Sequence, residues 1–405
     1  MILLGDWAPG EKKAIVPWNV DEILLANLEG PILPSQHGLT PSEKAGPVLF
    51  STQLPSSTNH FIFTLANNHL MDYGLEGFEA TQTALQKNGF IAMGAGLNLA
   101  DARNPAIITE KGEKIAIISC CDPQFGIAGL YKPGVAGIGP WIYSTIRQLL
   151  SKVDAIIVSV HMAIEDSPWP NPRVQEIYRS FIEAGASIVH GHHSHIPQGF
   201  ERYYTGLIFY GMGNFLVDPL NWRSTPNALW SFGAKIHFET NPPDLHLLTF
   251  NIKDRDDTIS VHQNDRTDAD CAKHLKYLDA CNGPLKDPVL LEALWHETAL
   301  RAFWHYGADY MGFHGISGKN AKTFRNRMAD VTRPLRQLLI KRVAVTDKLL
   351  SKKNLMLWHL MTVCESHRDM LATALGILAG EIPDMRNKET RQLADEMMPW
   401  SVIGT

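Results

Sequence analysis

Five short apolar runs in this sequence each give way, at the carboxyl end, to residues that bind cations. ILLGD closes on Asp6, ILLANLEG on Asn27 and Glu29, and FIFTLANNH on Asn67, Asn68 and His69. AIIVSVH closes on His161, and SIVHGHHSH puts His190, His192, His193 and His195 within six positions. The runs read as strands, and amphipathic stretches ahead of several of them complete the βαβ rhythm of a sheet covered by helices. In such sheets, sites form outside the carboxyl ends of the strands. The pattern therefore constrains fold and site together: strands whose ends lie side by side and pool their polar residues.

Each run taken singly has a plainer account. Asp6 could cap a helix, Asn27 and Glu29 could make a turn before Pro31, and the Asn67–Asn68 pair could bond its own backbone. His161 could be a buried, hydrogen-bonded histidine. Four histidines in six positions resist that treatment, and five coincidences are needed to dismiss the set. Carboxylate, amide oxygen and neutral imidazole without thiolate suit Mn²⁺, Fe²⁺ or Zn²⁺ rather than a cysteine-held structural zinc. His193 and His195 stand at i and i+2, so an extended backbone would turn both to one side and His192 away, with Gly191 letting the chain bend close.

Strand candidates are residues 2–5, 23–26, 61–66, 114–119, 155–160, 186–189 and 207–210, and helix candidates are 75–87, 140–152 and 172–184. Residues 232–263 read as an antiparallel meander. Beyond about 265 the helical period takes over, at 272–279, 288–306, 319–353 and 355–379. Two domains follow, 1–263 with the strands and 264–405 mostly helical, a division that 405 residues make reasonable. Hydrophobic residues at 45% and charged ones at 20% describe an ordinary globular chain. A net charge of −5 offers nucleic acid no electrostatic footing. Five cysteines at unpatterned spacing read as reduced thiols. The opening MILLGDWAPG has no basic-then-apolar leader and no stretch is apolar enough to span a bilayer, so a cytoplasmic location is expected. One segment departs from the balance: between Lys319 and Lys353 eleven basic residues face only Asp330 and Asp347. That is either a solvated helical face or a patch for an anionic polymer or a peripheral contact with an anionic membrane.

The ordered motifs GDW, NLEGPI, LANNHLMDYGLEGFEAT, GAGLNLADARNPAII, SVHMAIED, GASIVHGHHSHIPQGFE and IFYGMGNFLVDP resemble those of the CapA/PgsA family of capsule and poly-γ-glutamate biosynthesis proteins, over roughly residues 1–240. The resemblance implies an α/β fold, a four-layer α/β/β/α metallophosphatase-like sandwich, here followed by the helical part. It implies one or two divalent metal ions held by Asp6, Glu29, Asn68, His161, His193 and His195, with Glu29 as the bridging carboxylate. His69 matches the histidine that acts near the leaving oxygen. Three positions depart from the wider pattern. Asp6 is followed by Trp7 and Ala8 instead of Asp-x-His, the last motif is stretched so that His192 and His193 compete for one role, and the usual His-Trp-Gly-x-Glu reads His161-Met162-Ala163-Ile164-Glu165. The activity implied is metal-assisted hydrolysis of a phosphoester, with a phosphorylated glycan or an anionic polymer as substrate. The rival readings are metal-dependent amide hydrolysis and a non-catalytic assembly component that keeps the scaffold.

Overall fold

The computed structural model describes residues 1–17, 20–44, 46–56, 60–240, 243–308 and 352–400. The basic segment between Lys319 and Lys353 lies, but for its last two residues, outside the described residues. Two compact units emerge: Met1–Ser42 with Pro47–Leu291, and Glu43–Gly46 with Glu292–Thr405.

The first unit is built on two sheets. One contains β1 (Ile2–Ala8), β2 (Lys13–Ile15), β3 (Leu24–Leu28), β4 (Phe61–Thr64), β5 (Ile91–Met93), β14 (Asn214–Val217), β15 (Trp230–His237), β16 (Asp244–Arg255) and β17 (Thr258–Gln263). Its order is β2-β17-β16-β15-β1-β3-β4-β5, with β14 also paired to β1. The other contains β7 (Ala106–Glu110), β8 (Glu113–Cys121), β10 (Ala155–His161), β11 (Ile188–His192), β12 (Phe200–Tyr203) and β13 (Gly206–Phe209), ordered β12-β13-β11-β10-β8-β7. A small ribbon joins β6 (Ala95–Gly96) to β9 (Gly134–Val135). β1, β3, β4 and β5 run parallel, as do β8, β10, β11 and β13, so carboxyl ends gather at one edge of each sheet. β15, β16 and β17 form the antiparallel meander.

Three apolar layers give the four-layer order. Leu3, Leu25 and Ile62 meet Ile117, Ile157 and Phe209 between the sheets. On the outer face of the first sheet, α1 (Gly74–Lys87) sets Phe78 and Leu85 against Leu4 and Phe63. On the outer face of the second, α3 (Trp141–Leu149) and α4 (Pro172–Glu183) set Ile146 and Tyr178 against Ile118 and Val158. A short α2 (Leu99–Ala102), capped by the Asn98 side chain, links β6 to β7. The four-layer α/β/β/α sandwich expected from the sequence is the architecture found.

The first unit extends past residue 263, where the change in sequence texture suggested an end. Helix α5 (Ala269–Leu285) buries Cys271, His274, Leu278, Cys281 and Leu285 along one face. Leu278 joins the layer between the sheets, and His274 stacks on Trp230 with ring centroids 4.0 Å apart. Asn282 Oδ1 accepts a 2.7 Å bond from the Phe200 amide. A helix anchored this way belongs to the sandwich whatever its own period suggests. The next helix, α6 (Pro288–Ala302), begins at the end of the first unit. The second unit is helical, with α7 (Lys352–Val363), α8 (Glu365–Ala379) and α9 (Lys388–Met397). Within it, buried Arg301 contacts Glu297 and donates to the Trp400 carbonyl at 2.9 Å. Among the described residues no helix is long and apolar enough to cross a membrane.

Candidate metal centre

The layer between the sheets changes character along the strands. In β3, Leu25 lies in that apolar layer, and the alternation carries Asn27 and Glu29 to the same side. In β10, Ala155 and Ile157 are followed on that side by Ser159 and His161, and in β11, Ile188 by His190 and His192. The amino half of the layer is apolar and the carboxyl half polar, with every residue in it buried.

β1 needs a further device. Leu4 and Trp7 both pack into the outer core, three positions apart, because the register shifts between Leu3 and Asp6 and again between Asp6 and Trp7. The irregularity frees Asp6 to meet the second sheet while Trp7 stays in the core. Gly5 makes this approach feasible, since a Cβ there would lie 1.8 Å from the Gly213 carbonyl oxygen. The residue after Asp6 is thus a core residue, with its indole nitrogen donating to the Gln53 carbonyl at 3.2 Å.

The candidate residues converge from both sheets. Asp6 Oδ1 accepts from Asn27 Nδ2 and from His192 Nδ1, both at 2.9 Å, and Asp6 Oδ2 lies 3.6 Å from His195 Nδ1. Glu29 Oε1 stands 3.6 Å from His161 Nε2 and 3.7 Å from His195 Nε2. Asn68 Oδ1 is 3.0 Å from His161 Nε2, and the His161 and His193 rings are 4.5 Å apart. Glu29 with His161 and His193, and Asp6 with Glu29 and His195, each bring one ligand atom per residue within 4.8 Å of the others. Oxygen and imidazole donors at such separations fit a divalent cation held at about 2.0–2.2 Å.

Electrostatics suit the same role. Burial pushes the Asp6 carboxyl up, but the hydrogen bond and charge of His192, with His195 and Asn27, bring it below the ordinary carboxylate range. Burial, reinforced by His193, His192, His195 and His69, holds the His161 imidazole well below its usual pKa. His195 is brought down to about 4 chiefly by burial, against the pull of Asp6. At neutral pH the carboxylate is ionised and these imidazoles are neutral, the forms that ligate metals.

His193 and His195 do not follow the extended course expected of them. β11 ends at His192, and the two histidines beyond it adopt left-handed backbone, with φ of 84° and 57°. His192, expected to face away, faces inward with His190 and holds Asp6. His190 is tied to the Leu4 carbonyl at 2.8 Å.

Several supporting groups were not legible as such. Asn67 Nδ2 donates to Asn27 Oδ1 and to the Leu28 carbonyl, fixing the amide that holds Asp6. Asp72 Oδ2, 2.8 Å from His69 Nδ1 and receiving the Leu49 amide at 2.7 Å, orients His69. Asn214, in the GMGNF motif, sets Oδ1 3.2 Å from His195 Nδ1. Gln124 Nε2 is 2.7 Å from His193 Nε2, and Trp222 lies against the His195 ring with centroids 4.0 Å apart. The Asp72 signal was present as an acidic residue three positions after His69; Gln124 and Trp222 come from distant loops and carry no local signal.

A family model described as "Bacterial capsule synthesis protein PGA_cap" matches residues 12–219. "Capsule biosynthesis protein CapA" of Bacillus anthracis is 31% identical over 177 residues, 41% of this chain and 42% of that protein. "PGA biosynthesis protein CapA" of Bacillus subtilis (strain 168) is 32% identical over 207 residues, 49% of this chain and 54% of that protein. The chain thus spans about half the length of the curated relatives it matches. Among solved structures, a "novel phosphatase" of Mycoplasma pneumoniae aligns over 68% of this chain and 97% of its own, at 12% identity and a TM-score of 0.34. A putative 5'-nucleotidase of Staphylococcus aureus aligns over 55% of this chain and 42% of its own, at 15% identity and a TM-score of 0.33.

Proposed function

The chain belongs to the bacterial capsule synthesis protein PGA_cap family, and from that premise we propose that it is a metal-dependent phosphoesterase serving surface-polymer synthesis. One observation carries the reading: Asp6, Glu29, His161, His193 and His195, from strands and loops up to 189 positions apart, bring their ligand atoms into overlapping groups no wider than 4.8 Å. Asp6, Glu29, Asn68, His161, His193 and His195 would hold one or two divalent ions, Mn²⁺, Fe²⁺ or Zn²⁺ by donor chemistry. When bound, such an ion supplies Lewis-acid polarisation of a phosphoryl oxygen and lowers the pKa of water from about 15.7 to near 7.

The chain's own residues do the rest. Asn27 and His192 keep the Asp6 carboxylate ionised and aimed. Glu29 stands between His161 and His195 and is the carboxylate best placed to serve both groups. Asp72 Oδ2 accepts from His69 Nδ1 and leaves Nε2 as the working nitrogen; the carboxylate stabilises the imidazolium form, which would give its Nε2 proton to a leaving oxygen and return to the neutral ring. Burial of the whole cluster excludes bulk water and strengthens each of these interactions. The substrate class proposed is a phosphorylated glycan or its nucleotide-linked precursor, or an anionic polymer; the relatives' names support it only as far as capsule and PGA biosynthesis.

The test is hydrolysis of p-nitrophenyl phosphate and bis-p-nitrophenyl phosphate with added Mn²⁺, beside metal content by mass spectrometry. His69→Ala should keep its metal and lose turnover, and His193→Ala should lose both. Metal binding without turnover under any cation would instead favour a non-catalytic assembly role; a relative from Mycobacterium tuberculosis, 30% identical over 231 residues, is named "Probable polyglutamine synthesis accessory protein".

A further inference from the structure

We propose that Trp222 is the wall on which a ring of the substrate rests. The phosphoester it selects then carries a hydroxylated ring beside its phosphorus, a sugar of a glycan or of a nucleotide; the proposal rests on the phosphoesterase reading above. The donor residues are all buried, so a substrate meets them across their rim. Two rim groups reach the same histidine. Trp222 lies against the His195 ring with centroids 4.0 Å apart and planes tilted by 40°. The exposed Glu165 carboxylate has an oxygen within 4.8 Å of donor atoms of His193 and His195.

A tryptophan beside a histidine could be ordinary packing. Trp7 shows what that looks like: it is fully buried, with Phe61, Phe63 and Phe215 around its ring. Trp222 is only half-buried, and Asn221 and Arg223 on either side of it are exposed. Its loop is nevertheless pinned. Asp218 Oδ1 accepts from the Leu220 amide, the Trp222 amide donates to the Pro219 carbonyl and the Thr225 amide to the Trp222 carbonyl, each at 3.0 Å. Arg223 pairs with Asp254, which also holds Lys12. Farther along, Asn214 Nδ2 donates to the Ala228 carbonyl at 3.1 Å while its Oδ1 stands 3.2 Å from His195 Nδ1. One amide thus ties the loop to the histidine. An indole held in place, partly open to solvent and touching a metal-ligating residue is a preorganised binding surface.

The chemistry of the rim selects among the substrate classes. A flat apolar indole face gains contact from a ring and little from an acyclic chain. The Glu165 carboxylate accepts from hydroxyl groups and repels a chain that carries a carboxylate on every residue. A sugar phosphate satisfies both groups, and an acyclic polyanion satisfies neither.

Phosphate release by the full chain with Mn²⁺ from glucose 1-phosphate, uridine 5'-monophosphate and acyclic glycerol 3-phosphate tests this. Wild type should favour the ring-bearing esters in kcat/KM, the better of the two marking whether the ring is a glycan sugar or a nucleotide. Trp222→Ala should lower that preference about three- to tenfold, the worth of an aromatic contact, chiefly through KM and with its metal retained by mass spectrometry. Trp222→Phe, which keeps a flat ring, should recover most of the preference. A uniform fall on all three esters in Trp222→Ala, an unchanged preference, or equal kcat/KM for all three in wild type would overturn the wall and leave the hydrolase reading intact. Titration calorimetry of the same esters needs no turnover. Ring-selective binding that Trp222→Ala loses, without hydrolysis of any ester, would keep the wall and overturn the phosphoesterase; neither hydrolysis nor ring-selective binding would overturn both.

Discussion

His192 and His193 are neighbours in sequence with opposite assignments, and separating them tests how the site is built. His192 Nδ1 lies 2.9 Å from Asp6 Oδ1, both groups buried, and His192 enters neither of the inner donor groups. Its part is to hold Asp6. His192→Ala would leave Asp6 with the Asn27 bond alone. Removing a group that orients a ligand costs about tenfold to a hundredfold in metal affinity, or about 1.4–2.7 kcal/mol. His193 brings a donor atom to both the Glu29–His161 group and the Glu165–His195 group. His193→Ala should therefore weaken binding by well over about a hundredfold. Titration calorimetry of the metal-free variants with Mn²⁺ reads both numbers, and circular dichroism checks that each is folded. His192→Gln, whose side-chain amide donates as the imidazole does, should recover part of the loss. If His192→Ala abolished binding and His193→Ala left it untouched, the assignment of the two histidines would be reversed.

Other consequences are quicker to check. With its pKa at about 4 in the fold and near 6.5 unfolded, His195 takes up a proton on unfolding anywhere between those values. Its contribution is present above pH 6.5 and lost as pH falls toward 4, roughly 3 kcal/mol at the limit, so the metal-free protein should show a lower urea midpoint at pH 5 than at pH 7.5; an unchanged midpoint would count against buried neutral imidazoles. Gly191→Ala would put a Cβ 2.2 Å from the Tyr210 carbonyl oxygen in the adjoining strand segment, costing about 1–3 kcal/mol, and a melting temperature equal to wild type would contradict the close approach. Cys120 and Cys121 are buried thiols pushed up chiefly by desolvation, so a thiol reagent should reach them only on unfolding; rapid labelling of either in the native protein would refute the placement. Asp72→Asn should lower turnover about tenfold to a hundredfold while leaving metal content unchanged, and loss of metal would mean Asp72 supports the ligands instead of His69.

The strands were legible because a strand buried on both faces writes itself as an uninterrupted apolar run, as in Ala155–His161 and Glu113–Cys121. The site was legible for the same reason: polar residues that end such runs stand out, and parallel pairing aligns them. What could not be read depends on contacts between distant segments. β14 slots beside β1, aligning Asp6 with Asn214 across 208 positions, and no local pattern announces that pairing. The strand alternation carries His192 inward, and the left-handed turns at His193 and His195 then break that alternation, which no local pattern announces. Gln124, Trp222 and Glu165 reach the centre from loops, where period carries no information. The helix Ala269–Leu285 has a helical period, but its attachment to the sandwich is set by Asn282 and His274 meeting partners far back in the chain.

The most direct measurement is anomalous diffraction from a crystal of the full chain soaked in Mn²⁺, collected near the manganese edge. The account predicts a strong peak within about 2.3 Å of donors from Glu29, His161 and His193, with any second peak toward Asp6 and His195. A chain that takes up Mn²⁺ with its only peak remote from these residues, or a fully soaked crystal with no peak among them, would contradict it.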